Sequence, residues 1–297
     1  MTGPLDRRTA LVTGAGRGLG RAYALALAER GARVAVNNRS PEPAAEVVAE
    51  IVARGGEALA CAGDLEDAAT ARRVVADATD ALGRLDILVN NAGGAEIPPA
   101  PFTETTADAR DGMLRQNFTT AWDVTAAAWP HLADSDAGRI VLCGSPLSLY
   151  GSAGFAHYAA AKGALIGLAR TLAIEGADDE IATNLILPVA DTRREPEDSD
   201  FYRWFAATLP VERVAALVAW LADPRCQISG EVLSIAGPRV ARVSLAQTRG
   251  YVDSGEAFTP DSIAANWSAV EDGDDQLAFT SLGEVMAHWH EVFGAPG

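Results

Sequence analysis

The stretch at residues 13–40, TGAGRGLGRAYALALAERGARVAVNNRS, decides the fold. Its glycine-rich turn follows an apolar run and opens a long amphipathic segment, after which a second apolar run, ARVAVNN, begins. A strand, a glycine turn, a helix and a strand in this order are typical of a βαβ unit. Glycines let the backbone turn sharply, and the exposed amides at the start of the helix attract a pyrophosphate. The stretch therefore predicts a dinucleotide-binding unit.

The same alternation of short apolar and long amphipathic runs continues to Pro238. It is typical of a parallel sheet with helices on both faces, whose buried strands are apolar throughout. We predict an α/β fold: a single doubly wound Rossmann domain at residues 1–238 with a seven-stranded parallel sheet. Residues 239–297 are predicted to be a helical C-terminal extension that packs on the domain or on a neighbouring subunit. Strands are predicted at 9–14, 32–38, 58–64, 85–93, 138–145, 182–188 and 230–237, and helices at 18–30, 43–54, 67–82, 107–133, 155–176, 211–222, 260–270 and 282–293.

The chain is strongly acidic, with a formal net charge of −16 over 297 residues. Such a charge repels phosphate, so neither nucleic acid nor an anionic membrane is an expected partner. Cys61, Cys143 and Cys226 lie far apart without a paired spacing, which favours free thiols in a reducing compartment. The first residues, MTGPLDRR, lack the apolar core of a signal peptide, and no uninterrupted apolar run is long enough to cross a bilayer. We expect a soluble cytoplasmic protein.

The end of the second predicted strand bears on the choice of cofactor. NAD-binding units place Asp or Glu there to bind the ribose 2′-hydroxyl, whereas a carboxylate would repel the 2′-phosphate of NADP. Here the strand ends on Asn38, Arg39 follows directly, and Arg17 lies in the glycine turn. A guanidinium fits a phosphate well, so NADP(H) is expected in preference to NAD(H), which stays possible. Taken alone, Arg17 is equally well explained as a solvated residue at a helix start, and Arg39 as a solvated turn residue.

Tyr158 and Lys162 stand four residues apart at the start of the helical run YAAAKGALIGLARTLAIEG, so both lie on one helix face. A free phenol has a pKa of about 10 and is a poor proton carrier at neutral pH. A neighbouring ammonium favours the phenolate, so we expect Lys162 to lower the pKa of Tyr158. Ser145, at the end of the preceding strand, can reach the same pocket. Asn117, in the long predicted helix, is either part of this site or an exposed or capping helix residue.

These motifs together resemble the short-chain dehydrogenase/reductase family from about residue 8 to residue 237. The resemblance implies a Rossmann fold, a nicotinamide cofactor and hydride transfer to or from a carbon that bears oxygen. It implies a catalytic tetrad of Asn117, Ser145, Tyr158 and Lys162, and an adenine-binding role for Asp64. The cofactor-binding residues that it implies, together with the arginines discussed above, are Thr13, Gly14, Gly16, Arg17, Gly18, Leu19, Gly20, Asn38, Arg39, Asp64, Leu65, Asn91, Ala92, Gly93, Tyr158, Lys162 and Pro188.

A narrower resemblance includes the C-terminal extension. The runs YGSAGFAHYAAAKGALIGLARTLAIEG and TPDSIAANW are similar to the (3R)-hydroxyacyl-CoA dehydrogenase unit of peroxisomal multifunctional enzymes type 2 and their bacterial relatives. Two departures matter. That subfamily tends to carry Asp where Asn38 stands, so its NAD preference is not carried over. The wider family has Gly after the proline of the sixth strand, whereas Val189 follows Pro188 here, so the loop over the nicotinamide is expected to take another path.

Three hypotheses for function follow. The first is an NADPH-dependent reductase of a bulky natural-product or steroid-like ketone, for which the aromatic run at residues 201–205 would form a substrate wall or, equally, ordinary core. The second is a 3-oxoacyl or 3-hydroxyacyl-CoA dehydrogenase, with Arg239, Arg242 and Arg249 as partners for the phosphates of the thioester. The third is a non-catalytic nucleotide-binding module, which has no need of Tyr158 and Lys162 together. A ketone or alcohol substrate and a homo-oligomer are expected, and no metal is, because the histidines of HWH at 288–290 diverge on a helix.

Overall fold

The computed structural model describes residues 3–95, 97–192, 199–253 and 258–293. Seven strands of one sheet lie in the spatial order third, second, first, fourth, fifth, sixth, seventh, and their pairings are all parallel. The predicted doubly wound α/β fold is therefore confirmed. These strands are β1 (Thr9–Val12), β2 (Arg33–Asn38), β3 (Glu57–Ala62), β4 (Ile87–Asn90), β5 (Arg139–Cys143), β6 (Ala182–Val189) and β7 (Val232–Ala236).

The sheet contains one strand more than the sequence predicts. Strand β8 (Arg239–Val243) lies beside β7, and only Gly237 and Pro238 separate the two in the chain. Such a short connection joins antiparallel strands, because a parallel pair needs a long crossover. The sequence RVARV is exposed over much of its length, as is usual for an edge strand that carries charge.

Helices cover both faces of the sheet. One layer holds the first, second and ninth helices, and the other holds the third, fifth and seventh. Central strands β1, β4 and β5 are buried at every position, which matches their apolar sequences. The α-helices in the described residues before β8 are α1 (Gly18–Glu29), α2 (Pro41–Ala53), α3 (Ala68–Leu82), α4 (Ala107–Leu114), α5 (Thr120–Ala133), α6 (Leu147–Tyr150), α7 (Ala156–Glu175), α8 (Asp200–Thr208) and α9 (Val211–Leu221).

Several helix ends follow from local chemistry. Helix α2 begins at Pro41, two residues before the predicted start, because proline is favoured in the first turn. Asp67 caps α3, where its carboxylate accepts a hydrogen bond from the amide of Thr70 at 2.8 Å. At the other end of α3, Gly83 takes a left-handed conformation with φ of 79°.

One long predicted helix is interrupted. Between α4 and α5 the residues Arg115–Thr119 form a π-helical turn, so the predicted run at 107–133 is helical throughout but not regular. Such turns are rare and occur often at functional sites. Asn117 lies in the middle of this one and is buried.

The chain divides into two compact units at Arg242 and Val243, four residues beyond the predicted boundary at 238. The second unit contains a two-stranded antiparallel sheet and three helices in its described part. Its α10 begins with a capping box between Thr259 and Ser262. The elements of this unit are β9 (Ala246–Thr248), α10 (Pro260–Ala265), α11 (Trp267–Glu271), β10 (Gln276–Ala278) and α12 (Leu282–Phe293).

Among the described residues, one stretch has the length and mean hydropathy of a membrane span, Arg203–Leu221. This stretch is not one continuous helix, because α8 ends at Thr208 and Pro210 has extended backbone angles before α9 begins. Helix α9 buries most of its apolar residues against the core. Only the α9 part of the stretch therefore belongs to the core of the first unit, since Trp204 in α8 is more than half exposed.

Candidate active site

The glycine turn after β1 is shaped by its neighbours. Gly14 has φ of +59°, a conformation that side chains disfavour. A Cβ atom on Gly16 would lie 2.7 Å from Cβ of Pro43 and 2.8 Å from Cγ of Asn38, so only glycine fits there. The turn thus brings bare backbone against the end of β2 and the start of α2. This is the close approach that a pyrophosphate needs.

The segment after β4 supports this turn from below. The hydroxyl oxygen of Thr13 accepts hydrogen bonds from the amides of Asn91 at 3.0 Å and of Ala92 at 2.9 Å. In return, the side-chain amide of Asn91 donates to the carbonyls of Thr13 at 2.9 Å and of Gly14 at 3.1 Å. The predicted cofactor-binding residues at 13–20 and 91–93 are therefore brought together by direct hydrogen bonds. They meet where the sheet order changes direction, the usual ligand site of doubly wound folds.

Two cavities of similar size lie on either side of the glycine turn, with volumes of about 490 and 510 Å³. Gly14, Arg17 and Gly93 line both, so the cavities meet over the turn. A ligand with two bulky halves joined by a pyrophosphate fits this arrangement. The structure thus offers an adenosine-side cavity (the first) and a nicotinamide-side cavity (the second).

The adenosine-side cavity contains most residues that were predicted to bind this half of the cofactor. Asn38, Arg39, Asp64 and Leu65 line it together with the glycine turn. Gln116, which sequence reasoning did not select, also lines it, and its side-chain oxygen is buried without a hydrogen-bond partner in the described part of the chain. A buried acceptor of this kind suits the exocyclic amine of adenine. The residues present fit a dinucleotide.

The nicotinamide-side cavity contains three residues of the predicted tetrad, Ser145, Tyr158 and Lys162. Pro188 lines it as predicted, and Thr192, which the sequence did not single out, lies opposite the glycine turn. A Cβ atom on Gly18 would stand 3.8 Å from Cβ of Thr192. The cavity thus places a hydroxyl pair and an amine beside the expected nicotinamide.

Val189, where the wider family has Gly, is the last residue of β6. Strand β6 continues through this position, since Pro188 pairs with Ile235 and Val189 with Ala236. Valine favours extended backbone and fits a ladder position, whereas glycine weakens one. The chain therefore leaves the sheet after Val189, and the altered loop path expected from the sequence stays a prediction.

The phenol of Tyr158 is held in its protonated form. Burial raises the pKa of Tyr158 above its usual 10.0, and the hydrogen bond with Ser145 opposes this rise only in part. Ser145 also accepts a hydrogen bond from the amide of Leu147 at 3.3 Å, which fixes its hydroxyl oxygen. At neutral pH the pair therefore presents a proton donor.

The predicted lowering of the Tyr158 pKa is not found in this structure, where burial raises that pKa. The amine of Lys162 is buried and donates a hydrogen bond of 2.8 Å to the carbonyl of Cys143, at the end of β5. Burial lowers the pKa of Lys162 from 10.5 to about 8. Burial thus favours the neutral forms of both the phenol and the amine.

Asn117 holds the segment that joins the two cavities. Its side-chain oxygen accepts a hydrogen bond from the amide of Gly94 at 2.9 Å, and its side-chain nitrogen donates to the carbonyls of Gly94 at 3.0 Å and Met113 at 3.2 Å. Gly93, with φ of 133°, leaves the space that this amide fills. Asn117 is therefore no exposed helix residue, and its role in a proton relay stays a prediction.

A glycine turn at the switch point of the sheet, with a buried Tyr–Lys pair beside it, defines an oxidoreductase that uses a nicotinamide dinucleotide on CH–OH and C=O groups. Residues 8–197 match the family model described as short chain dehydrogenase, and the chain belongs to this family.

Relatives match almost the whole chain, including its C-terminal extension. The peroxisomal multifunctional enzyme type 2 of Mus musculus is 36% identical over 98% of this chain, and the chain spans 41% of that enzyme's length. A Mycobacterium tuberculosis protein named as a short-chain type dehydrogenase/reductase is 34% identical over 92% of this chain and 96% of its own length. The solved full-length multifunctional enzyme of Drosophila melanogaster superposes with a TM-score of 0.82 at 31% identity, over 97% of this chain and 49% of that one. The predicted likeness to the dehydrogenase unit of such enzymes is confirmed.

Solved relatives carry both nicotinamide cofactors. A short chain dehydrogenase of Burkholderia cenocepacia in complex with NADP has a TM-score of 0.72 at 36% identity, over 79% of this chain and 98% of that one. Carveol dehydrogenase of Mycobacterium avium in complex with NAD has a TM-score of 0.73 at 25% identity, over 79% and 98% of the two chains. A nicotinamide cofactor is thus common to this family, and the choice between its two forms varies within it.

Proposed function

We propose that this protein reduces a ketone to a secondary alcohol with NADPH, with Tyr158 as the proton donor. The observation that carries the proposal is the placement of Ser145, Tyr158 and Lys162 in one cavity beside the glycine turn. A phenol and a hydroxyl on one wall of the cavity can both reach a carbonyl oxygen, and the phenol can supply the proton that reduction requires.

The residues of the cavity divide the remaining work. A bound nicotinamide supplies the hydride. Ser145 donates a hydrogen bond to the carbonyl oxygen as negative charge builds on it, and Tyr158 delivers the proton. Lys162, bonded to the end of β5, stands ready to hold a ribose hydroxyl and to pass a proton near neutral pH, since its pKa is about 8. Asn117 fixes Gly94 and thereby the wall between the two cavities.

The preference for NADP(H) is supported by the lining of the adenosine-side cavity. The side-chain amide of Asn38 donates a hydrogen bond of 3.0 Å to the carbonyl of Ser40, and it brings no charge to the cavity. Arg17 and Arg39 line the same cavity. Two guanidinium groups and a neutral amide suit a 2′-phosphate better than they suit a bare hydroxyl.

A bulky apolar ketone is the substrate class that we favour. Helix α8 follows the loop after β6 and exposes Phe201 and Trp204 by more than half of their surface. The rings of Phe201, Trp204 and Phe205 lie 5.8 to 6.4 Å apart and form a continuous aromatic patch. Such a patch suits an apolar ring system, because stacked aromatic faces bind rings well. The side chain of Tyr202 lies outside the described residues.

A 3-oxoacyl or 3-hydroxyacyl-CoA thioester is the second candidate. It is favoured by the relatives named as multifunctional enzymes, which match the chain from end to end. The arginines suggested as phosphate partners favour it less. Arg242 is paired with Glu231 and Arg249 with Asp275, so their charges are already balanced.

A substrate panel tests the proposal. We expect the purified protein to oxidise NADPH with a higher kcat/KM for a polycyclic ketone than for acetoacetyl-CoA. With the same polycyclic ketone, kcat/KM should be lower when NADH replaces NADPH. The reverse order of the two substrates would favour the thioester. Binding of NADPH without turnover on any carbonyl would refute the enzymatic proposal and favour a binding module.

A further inference from the structure

Asn37, one residue before the position that bears on cofactor choice, makes an unusual set of contacts. It lies in β2 and is 1% exposed. Its side-chain oxygen accepts a hydrogen bond from the amide of Gly14 at 3.3 Å. Its side-chain nitrogen donates to the carbonyls of Cys61 at 2.9 Å and Gly63 at 3.3 Å, at the end of β3.

These bonds connect two segments that are far apart in the chain. Gly14 begins the glycine turn, and Gly63 precedes Asp64 and Leu65, which line the adenosine-side cavity. The backbone of Asn37 adds a fourth contact, because its carbonyl accepts a hydrogen bond from the amide of Ala15 at 2.6 Å. A single buried residue therefore fixes the position of the glycine turn relative to the end of β3, on the two sides of this cavity.

The chemistry of these contacts selects an asparagine. One side of the residue meets an N–H group and the other meets two carbonyls, so it must accept on one side and donate on the other. Aspartate has the same shape, but its ionised form only accepts, and it would turn a carboxylate oxygen towards two carbonyls in a buried place. Alanine and serine would leave two or more of the backbone groups without their side-chain partner.

We propose that Asn37 is a positioning residue for the adenosine half of the dinucleotide, acting through Gly14 and Gly63 rather than by touching the reacting atoms. The inference rests on the dinucleotide site of the proposed function and not on its substrate. It predicts that loss of the amide loosens the adenosine-side cavity more than the nicotinamide-side cavity, because Gly14 lines both cavities and Gly63 lines only the first.

A matched control exists in the same sheet. Asn184 in β6 is also 1% exposed. Its side-chain nitrogen donates a hydrogen bond to the carbonyl of Ile228 at 2.8 Å, and its side-chain oxygen accepts one from the amide of Glu231 at 3.1 Å. It lines neither of the two cavities. A purely structural role would make the two asparagines behave alike.

Binding of the two halves of the cofactor tests the proposal without any need for turnover. Calorimetry would measure the Kd of adenosine 5′-diphosphate and of nicotinamide mononucleotide for the wild type, Asn37→Asp, Asn37→Ser and Asn184→Ser. We expect the Kd of adenosine 5′-diphosphate to rise at least about tenfold in both Asn37 variants. The Kd of nicotinamide mononucleotide should change less than twofold. Asn184→Ser should lower the Tm with both Kd values unchanged.

The proposal would be overturned by an unchanged Kd for adenosine 5′-diphosphate in a folded Asn37 variant, or by an equal rise of that Kd in Asn184→Ser. Asn37→Ser is the smaller and uncharged change, so it carries the comparison if Asn37→Asp does not fold. Should neither fold while Asn184→Ser does, Asn37 is a folding residue and the positioning role is refuted. Failure of the ketone assay alone would leave this comparison intact.

Discussion

The amine of Lys162 donates a 2.8 Å hydrogen bond to the carbonyl of Cys143, so the end of β5 and the helix that carries Tyr158 are joined through a buried lysine. This bond accounts for where the amine points. The two groups of the site differ in protonation: burial raises the pKa of the Tyr158 phenol and lowers that of the Lys162 amine to about 8.

The pKa of Lys162 can be read directly, because Lys162 is the only lysine among the 297 residues. Reductive methylation with ¹³C-labelled formaldehyde would place a single labelled side chain in the protein, apart from the amino terminus. We expect its NMR signal to titrate near pH 8 in the folded protein and near the ordinary value of 10.5 in urea. A folded-state titration above pH 10 would contradict the burial argument.

The same shift predicts how stability depends on pH. Between pH 8 and 10.5 the unfolded chain keeps a proton on Lys162 that the folded chain has lost, so the free energy of unfolding rises as pH rises through this window. The rise is roughly 3 kcal/mol at most. Lys162→Met should remove it. Urea denaturation at several pH values measures the slope, and an equal slope in the variant would contradict the assignment.

Asn38→Asp should change the cofactor preference. A carboxylate at this position repels a 2′-phosphate and accepts a hydrogen bond from a 2′-hydroxyl. We expect the Kd of NADPH to rise at least about tenfold and that of NADH to stay level or fall. Fluorescence titration measures both. Arg33→Ala, at the other end of β2, is the matched control and should leave the ratio of the two Kd values unchanged.

Asp86 should matter for stability and not for the site. It is fully buried, and it accepts hydrogen bonds from the hydroxyl of Ser135 at 2.6 Å and from the amide of Thr9 at 2.9 Å, beside Arg8 and Arg84. Burial alone would raise the pKa of Asp86, but these hydrogen bonds and the charge of Arg84 lower it. Its stabilisation is therefore present at neutral pH and is lost as pH falls below the ordinary carboxyl range through the lowered pKa.

Asp86→Asn should reduce the free energy of unfolding by about 2 kcal/mol at neutral pH, because a neutral amide cannot accept all the hydrogen bonds that Ser135, Thr9 and Arg84 donate to the buried carboxylate. Cofactor affinity should not change. Asp77→Asn, which breaks an exposed pair with Arg73, is the control and should cost less than about 1 kcal/mol. Equal losses in the two variants would show that burial of Asp86 has no special effect.

The fold could be predicted in detail because its signals are local. Helix α12 has the predicted bounds at 282 and 293, and α9 begins at the predicted Val211 after Pro210. The extra strand β8 was not predicted, since RVARV is short and depends on β7 to pair with. Helix α6 was likewise missed because it has only four residues, and α8 was missed although Phe201, Trp204 and Phe205 have the i, i+3, i+4 spacing of a helix.

The site was predictable in its membership and not in its electrostatics. Motif spacing brought Ser145, Tyr158 and Lys162 to one cavity. The pKa directions depend on burial and on the carbonyl of Cys143, and both arise only when β5 and α7 pack together. The orphaned oxygen of Gln116 was invisible for a similar reason: the π turn at 115–119 orients it, and π turns leave no clear sequence pattern.

The central claim is that Tyr158 delivers the proton in a reduction that uses a bound nicotinamide dinucleotide. Single-turnover oxidation of NADPH with a reactive ketone, compared between the wild type and Tyr158→Phe, tests it most directly. We predict that the variant binds NADPH with a Kd within about threefold of the wild type and that its hydride transfer is slowed by about 10³-fold. Hydride transfer in Tyr158→Phe at the wild-type rate would contradict the claim.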